Sequence, residues 1–472
     1  MLWRKEEDSL GKRDVPRDAY YGIQSMRAAE NFKITNLKVH PELIKSLALV
    51  KKATANVNLK VEILNKKIAR AIIQAADEVI NGAMADQFIV DAIQGGAGTS
   101  INMNMNEVLA NRAIEILGGD KGDYMLVHPN NHVNMGQSTN DVVPTAIRIA
   151  LIKLLKGVLN ELDNLYNELL RKGEKFNHVL KMGRTQLQDA VPIRLGQEFA
   201  AYACAIKRDI RRISETMDDL KVVNLGATAI GTGLNADLKY VENVTNVLNE
   251  ISSLDLKQSE NLIDATQNVD ALVEVSSALK TSAVNLSKIS NDLRLLSSGP
   301  RTGFNEINLP AVQPGSSIMP GKINPVIPEV INQISFQIIG NDTTITMAAE
   351  AGQLELNVML PVLVYNLFQS IDLLKNGLKT FTSRAIKGIS ANEEHCFDMV
   401  ENSVGIITAI NPHVGYEVAG RIAKKAIKTG RKVRDIILEE GVLAEEELDK
   451  ILNPYEMTEP GIAGKELFDL ED

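Results

Sequence analysis

Residues 315–325 read Gly-Ser-Ser-Ile-Met-Pro-Gly-Lys-Ile-Asn-Pro and place two glycines, two prolines, two hydroxyls, a lysine and an amide within eleven positions. No regular helix or strand accepts that density of glycine and proline, so the segment is a loop. Pro325 and the residues after it read as the start of a helix with proline in its first turn. A mobile loop presenting Ser316, Ser317 and Lys322 ahead of a helix is suited to act as a lid over an anion. Three other polar breaks carry related chemistry. Ser138-Thr139-Asn140 precedes Asp141-Val142-Val143-Pro144, where a long helix begins. Free backbone N–H groups at a helix start, joined by two hydroxyls and an amide, make a carboxylate seat, whereas simple capping needs one such residue. Thr185 and Gln186 lie in Gly183-Arg184-Thr185-Gln186-Leu187-Gln188-Asp189, where a structural use of Arg184 would be to pair with Asp189 or with another helix. Thr99 and Asn102 stand where the glycine-rich run 95–98 enters a helix.

This inventory of hydroxyls, amides and one lysine suits a small dicarboxylate. It also suits removal of a proton beside a carboxylate, where the demand is to stabilise a doubly charged enediolate. None of the six histidines falls in the breaks or the lid. His128 and His132 have the i, i+4 spacing of a zinc pair, but Pro129 interrupts a shared helix face, so they read as structural or peripheral and no metal is expected. There is no GxxxxGK, no CxxC and no Ser-His-Asp order, and Gly95-Gly96-Ala97-Gly98 does not follow a strand; no cofactor is expected. Cys204 and Cys396 are far apart, which fits a reducing cytoplasm. A net charge of −9 argues against nucleic acid, while leaving room for a locally positive site. No apolar stretch has the length of a signal peptide or a membrane span.

Aromatics are only 4% of the 472 residues, so the core must be built from Leu, Ile, Val, Ala and Met, which favours helix packing. The spacing predicts helices over 41–80 and from 101 to 116. Leu151, Leu155, Val158, Leu162, Leu165 and Leu169 then recur at alternating intervals of 4 and 3. Four later stripes repeat the pattern: Ile206 to Leu220, Leu286 to Leu296, Ile327 to Ile338, and Leu363 to Leu378. The third of the five ends at Ser298-Gly299-Pro300, a glycine stop followed by a breaker. The expected class is all-α. A central bundle of five long helices is expected over 141–395, between a mostly helical domain at 1–140 and a small helical domain at 396–472. Residues 11–18 read as turns. Stripes of this length can meet partners beyond one chain, so self-association is expected.

The polar segments together resemble the aspartase/fumarase superfamily. GSSIMPGKINP at 315–325, GGAGTSINMNMNEV at 95–108, QSTNDVVPTA at 137–146 and GRTQLQDAVP at 183–192 carry the likeness, which extends to NPYEMTEPGIAGKE at 453–466. NLGATAIGTGLN at 224–235, NDLRLLSSGPR at 291–301 and AAEAGQLELNVM at 348–359 are worded as in its aspartate-deaminating branch. The resemblance implies that Ser316 is the base that takes the C3 proton of L-aspartate, giving fumarate and ammonia. It implies that Thr99, Ser138, Thr139 and Ser317 surround the carboxylate that becomes the enediolate, and that Lys322 and Asn324 hold the other, with Thr185 nearby. Asn140 and Gln186 match groups facing the leaving amine. It further implies a homotetramer with active sites drawn from three subunits, no membrane and no nucleic acid. Position 186 is Gln where fumarases and some aspartases have His, which favours deamination over hydration of fumarate to L-malate. Glu329 matches a carboxylate that supports this histidine in fumarases, and Leu360 stands where many relatives carry a charge. The other readings are a fumarase and a catalytically silent helical scaffold. Four-carbon substrates separate them.

Overall fold

The computed structural model describes residues 2–468. In chain order the helices that matter here are α1 (Ile23–Asn31), α2 (Pro41–Lys60), α3 (Lys66–Ile80), α4 (Thr99–Ile116), α5 (Thr139–Lys175), α6 (Leu195–Leu220), α7 (Leu238–Ser252), α8 (Asp264–Gln267), α9 (Asp270–Leu296), α10 (Val326–Glu350), α11 (Leu360–Arg384) and α12 (Glu393–Asn402). All five long-helix stripes are helical, as α5, α6, α9, α10 and α11, with 37, 26, 27, 25 and 25 residues. The stripes face inward: Leu151, Leu155, Val158, Leu162, Leu165 and Leu169 are all buried, as are Leu363, Leu367, Ile371, Leu374 and Leu378. The helical stretch read over 41–80 forms two helices, with Asn65 capping α3 by accepting from the Lys67 N–H at 2.9 Å. Helix α9 ends at Leu296, just before the predicted stop.

The chain divides into two compact units. The first comprises 1–160, 209–284 and 334–376; the second comprises 161–208, 285–333 and 377–472. In the first, α2 and α3 pack closely, and Ala69, Ile72, Ala75, Ala76 and Val79 of α3 are buried. In the second, the short helices of the chain's last part bury Val400, Ile406, Ile410, Ile422, Ile436, Ile437, Leu448 and Ile451 against Leu180 and Met182.

Against the helical background stand small two-stranded sheets. Strands β1 (Trp3–Asp8) and β2 (Gly11–Pro16) form an antiparallel hairpin, its second strand lying in the segment read as turns. Its alternating charges leave little apolar period to read, but Arg4 ties it down by donating to the carbonyls of Pro16 (2.9 Å), Ala19 (2.7 Å) and Tyr21 (2.9 Å). Strands β3 (Leu180–Thr185) and β4 (Gln188–Arg194) form a second hairpin where the sequence reads as a polar break between helices. Its two-residue tip, Gln186-Leu187, has φ of 56° and 62°, the paired left-handed geometry that lets a tight turn match strand twist.

Candidate functional site

Four of the ten candidate residues, Thr99, Ser138, Thr139 and Asn140, belong to the first unit, and six, Thr185, Gln186, Ser316, Ser317, Lys322 and Asn324, to the second. The first group is held at the start of α5. Ser138 Oγ accepts from the Asn140 N–H at 3.2 Å, and Asp141 Oδ1 accepts from the Ser138 N–H at 2.9 Å. These reciprocal bonds form a capping box with Asp in place of Glu. Pro144, inside α5, has no N–H to give to the Asn140 carbonyl, which instead accepts from Asn224 Nδ2 at 2.9 Å. The Asn140 amide donates to the Ala229 carbonyl at 2.7 Å. Thr139 Oγ1 accepts from Asn102 Nδ2 at 3.2 Å, and Asn102 lies one turn into α4 from exposed Thr99. The entry to α4 is tight: Ala97 and Gly98 have φ of 57° and 95°, and a Cβ on Gly98 would stand 3.1 Å from Val143 Cγ1.

Beneath this turn lies a buried polar layer that the sequence reading missed. Lys51 of α2 is fully buried, and its ammonium donates to Asn134 Oδ1 and Gln137 Oε1, both at 2.9 Å. Asn134 Oδ1 also accepts from Asn102 and Asn106, each at 3.2 Å. Asp141, equally buried, uses Oδ2 to accept from the N–H groups of Gly226 (3.2 Å) and Thr228 (3.1 Å). Burial pushes the Lys51 ammonium down to about 7, against a pull upward from the Asp141 charge. Burial likewise pushes the Asp141 carboxyl up to about 6, opposed by its three backbone donors and by Lys51. A signal was present: Leu43, Leu47, Lys51 and Ala55 recur every four residues, so Lys51 occupies a core position of its helix.

In the second unit the loop before α10 is closed on itself. Gly315 N–H donates to the Lys322 carbonyl at 2.9 Å, and Asn324 Nδ2 donates to the Gly315 carbonyl at 2.7 Å. A Cβ on Gly315 would fall 2.4 Å from the Lys322 carbonyl oxygen, so only glycine fits. Ser316 Oγ accepts from the backbone N–H groups of Ile318 (3.2 Å) and Met319 (3.0 Å). Ser317 and Lys322 are exposed. Thr185 and Gln186 are exposed on a different element, the tip of the β3–β4 hairpin. Arg184 pairs mainly with Glu306, not Asp189: the Nη1 to Oε1 distance is 2.5 Å, against 3.9 Å to Asp189. The guanidinium also lies 4.3 Å from the Phe304 ring centre. Glu306 is fully buried, and Lys181 Nζ lies 3.0 Å from its Oε2, in ion-pair range though off hydrogen-bond alignment. Lys181 also holds Glu198 at 2.9 Å. The hairpin is thus clamped by buried charges that sequence spacing could not connect.

The histidine pair is occupied locally. His128 Nδ1 accepts from the N–H groups of Asn130 (3.0 Å) and Asn131 (3.3 Å), and His132 Nδ1 accepts from the His128 N–H at 2.9 Å. Among the described residues no group of three or more His, Cys, Asp or Glu side chains is arranged to hold a metal. A cavity of about 920 Å³ in the first unit, lined by Arg212, Asp219, Asp270 and Glu274, contains none of the ten candidate residues.

A family model described as lyase matches residues 11–340, and one described as fumarase C C-terminus matches residues 406–459. The aspartate ammonia-lyase of Bacillus subtilis (strain 168) is 59% identical over 467 residues, covering 99% of this chain and 98% of the relative. The chain belongs to the aspartase/fumarase superfamily. Two solved superfamily structures agree with its all-α fold. A fumarate lyase:delta crystallin from Brucella melitensis bound to cobalt has 50% identity and a TM-score of 0.95, covering 97% of this chain and 100% of that one. A class II fumarase from Schistosoma mansoni has 36% identity and a TM-score of 0.93, with the same coverage. Identity to the ammonia-lyase, 59%, exceeds identity to the fumarase, 36%. No helix among the described residues is long and apolar enough to cross a membrane.

Proposed function

We propose that this protein is a cytoplasmic enzyme that catalyses reversible deamination of L-aspartate to fumarate and ammonia. Ser316 takes the C3 proton. The electron pair of the broken C–H bond moves into the adjacent carboxylate to form an enediolate. It then returns to form the C2–C3 double bond as the C2–N bond breaks, and the pair of that bond leaves with ammonia. Thr99, Ser138, Thr139 and Ser317 bind the carboxylate that becomes the enediolate, where donors at the start of α5 oppose the developing charge. Lys322 and Asn324, with Thr185, hold the other carboxylate. Asn140 and Gln186 face the amine.

The observation that carries this reading is the environment of Ser316. A solvated serine is a poor base, but two backbone N–H groups pointing at Oγ, from Ile318 and Met319, favour the anionic form. Lys322, in the same loop, adds positive charge. Closure of the loop excludes water and strengthens each of these interactions.

A homotetramer sharing its sites between subunits is part of the proposal. It is supported by an uncharged strip on α10 that leaves Phe336 62% and Met347 67% exposed on a single chain. The test is the rate of fumarate formation from L-aspartate against L-malate, using protein of known oligomeric state. Turnover of L-aspartate alone supports the proposal. Preference for L-malate would make the protein a fumarase, and no turnover of any four-carbon dicarboxylate would make it a silent scaffold.

A further inference from the structure

Lys51 is a buried cation with no carboxylate within ion-pair distance among the described residues. Its acceptors are the two neutral amide oxygens of Asn134 and Gln137. A buried ammonium held only by neutral acceptors is costly unless a nearby negative charge answers it. Two such charges belong to this region. One is Asp141, whose three backbone donors staple the Ser138 turn to the 226–228 segment. The other is the substrate carboxylate that the proposed function brings to Ser138 and Thr139.

These roles conflict without Lys51. Asp141 is the third residue of α5, so its charge sits where an incoming carboxylate would be repelled. Lys51 reaches the same turn through Asn134, whose Oδ1 it shares with Asn102, the amide that donates to Thr139 Oγ1. We propose that Lys51 is a positioning residue of the carboxylate seat: its charge cancels that of Asp141 beneath Ser138 and Thr139, and its bonds aim the Asn134–Asn102 relay at Thr139. The inference rests on the proposed dicarboxylate site, and it extends that site to a residue that touches no substrate.

The experiment measures fumarate binding by calorimetry, with kcat and KM for L-aspartate, on wild type, Lys51→Met and Lys51→Met/Asp141→Asn. Methionine keeps the length and apolar stem of lysine without its charge. Fumarate affinity should fall at least ~10-fold in the single variant, as happens when one member of a buried charge pair is truncated. It should recover to within ~3-fold of wild type in the charge-neutral double variant. A purely structural role predicts the reverse, since the second substitution also removes an acceptor from the turn. A double variant no tighter than the single one, or a single variant with unchanged affinity, overturns the inference. Where the single variant does not fold, the double variant decides by the same threshold against wild type. Wild type that binds no dicarboxylate would instead overturn the proposed function.

Discussion

Replacing Glu306 by Gln tests how the β3–β4 hairpin is held. The carboxylate is fully buried and pairs with Arg184 at 2.5 Å and Lys181 at 3.0 Å. Glutamine keeps the shape, removes the charge, and turns an amide N–H₂ toward one of two cations. Breaking a buried ion pair by neutralising one partner costs about 3–5 kcal/mol. Lys181 keeps Glu198 at 2.9 Å, so much of its charge stays answered, and Arg184 bears most of the loss. We therefore expect the lower end, about 3 kcal/mol, read as a lower midpoint in denaturant with unchanged slope. Because Arg184 adjoins Thr185 and Gln186 at the tip, KM for L-aspartate should rise as well. Glu306→Gln with Arg184→Met should recover part of the stability, because the cation left without its partner is removed too. An unfolding free energy within about 0.5 kcal/mol of wild type for the single variant would refute the clamp, since that is the size of an ordinary surface substitution.

Gly315→Ala should leave global stability nearly intact and lower kcat/KM by about 10-fold or more, because its Cβ would meet the Lys322 carbonyl at 2.4 Å and the loop must open; steady-state kinetics beside a melting curve checks this. Cys204 is exposed, whereas burial pushes the Cys396 thiol up to about 12. A thiol reagent at pH 8 should therefore modify one cysteine per folded chain where Cys204 is not covered by self-association, and both after unfolding. Rapid modification of Cys396 in folded protein would contradict its burial.

The long helices could be read from sequence because Leu151 to Leu169 and their counterparts repeat at helical intervals, and burial of one stripe is what fixes such a helix. The hairpins could not. β1 and β2 carry charges on both faces, and the β3–β4 tip uses Gln186-Leu187 where turn chemistry would lead one to look for Asn-Gly. The candidate site divides along the same line. Hydroxyls and amides at helix entrances show themselves locally, as Ser138 and Thr139 do. Their support comes from partners distant along the chain: Lys51 meets Asn134 83 residues on, and Arg184 meets Glu306 122 residues on. Local spacing holds no trace of such pairings, although a lysine on a core stripe is itself a warning.

The most direct test follows the C3 hydrogen of L-aspartate. Wild type and Ser316→Ala are compared for fumarate release, by ultraviolet absorbance, and for loss of deuterium from C3-labelled L-aspartate into water. If Ser316 is the base, both rates fall together by at least ~10²-fold in the variant while fumarate still binds. A variant that releases fumarate or loses the C3 label at close to the wild-type rate would contradict the account.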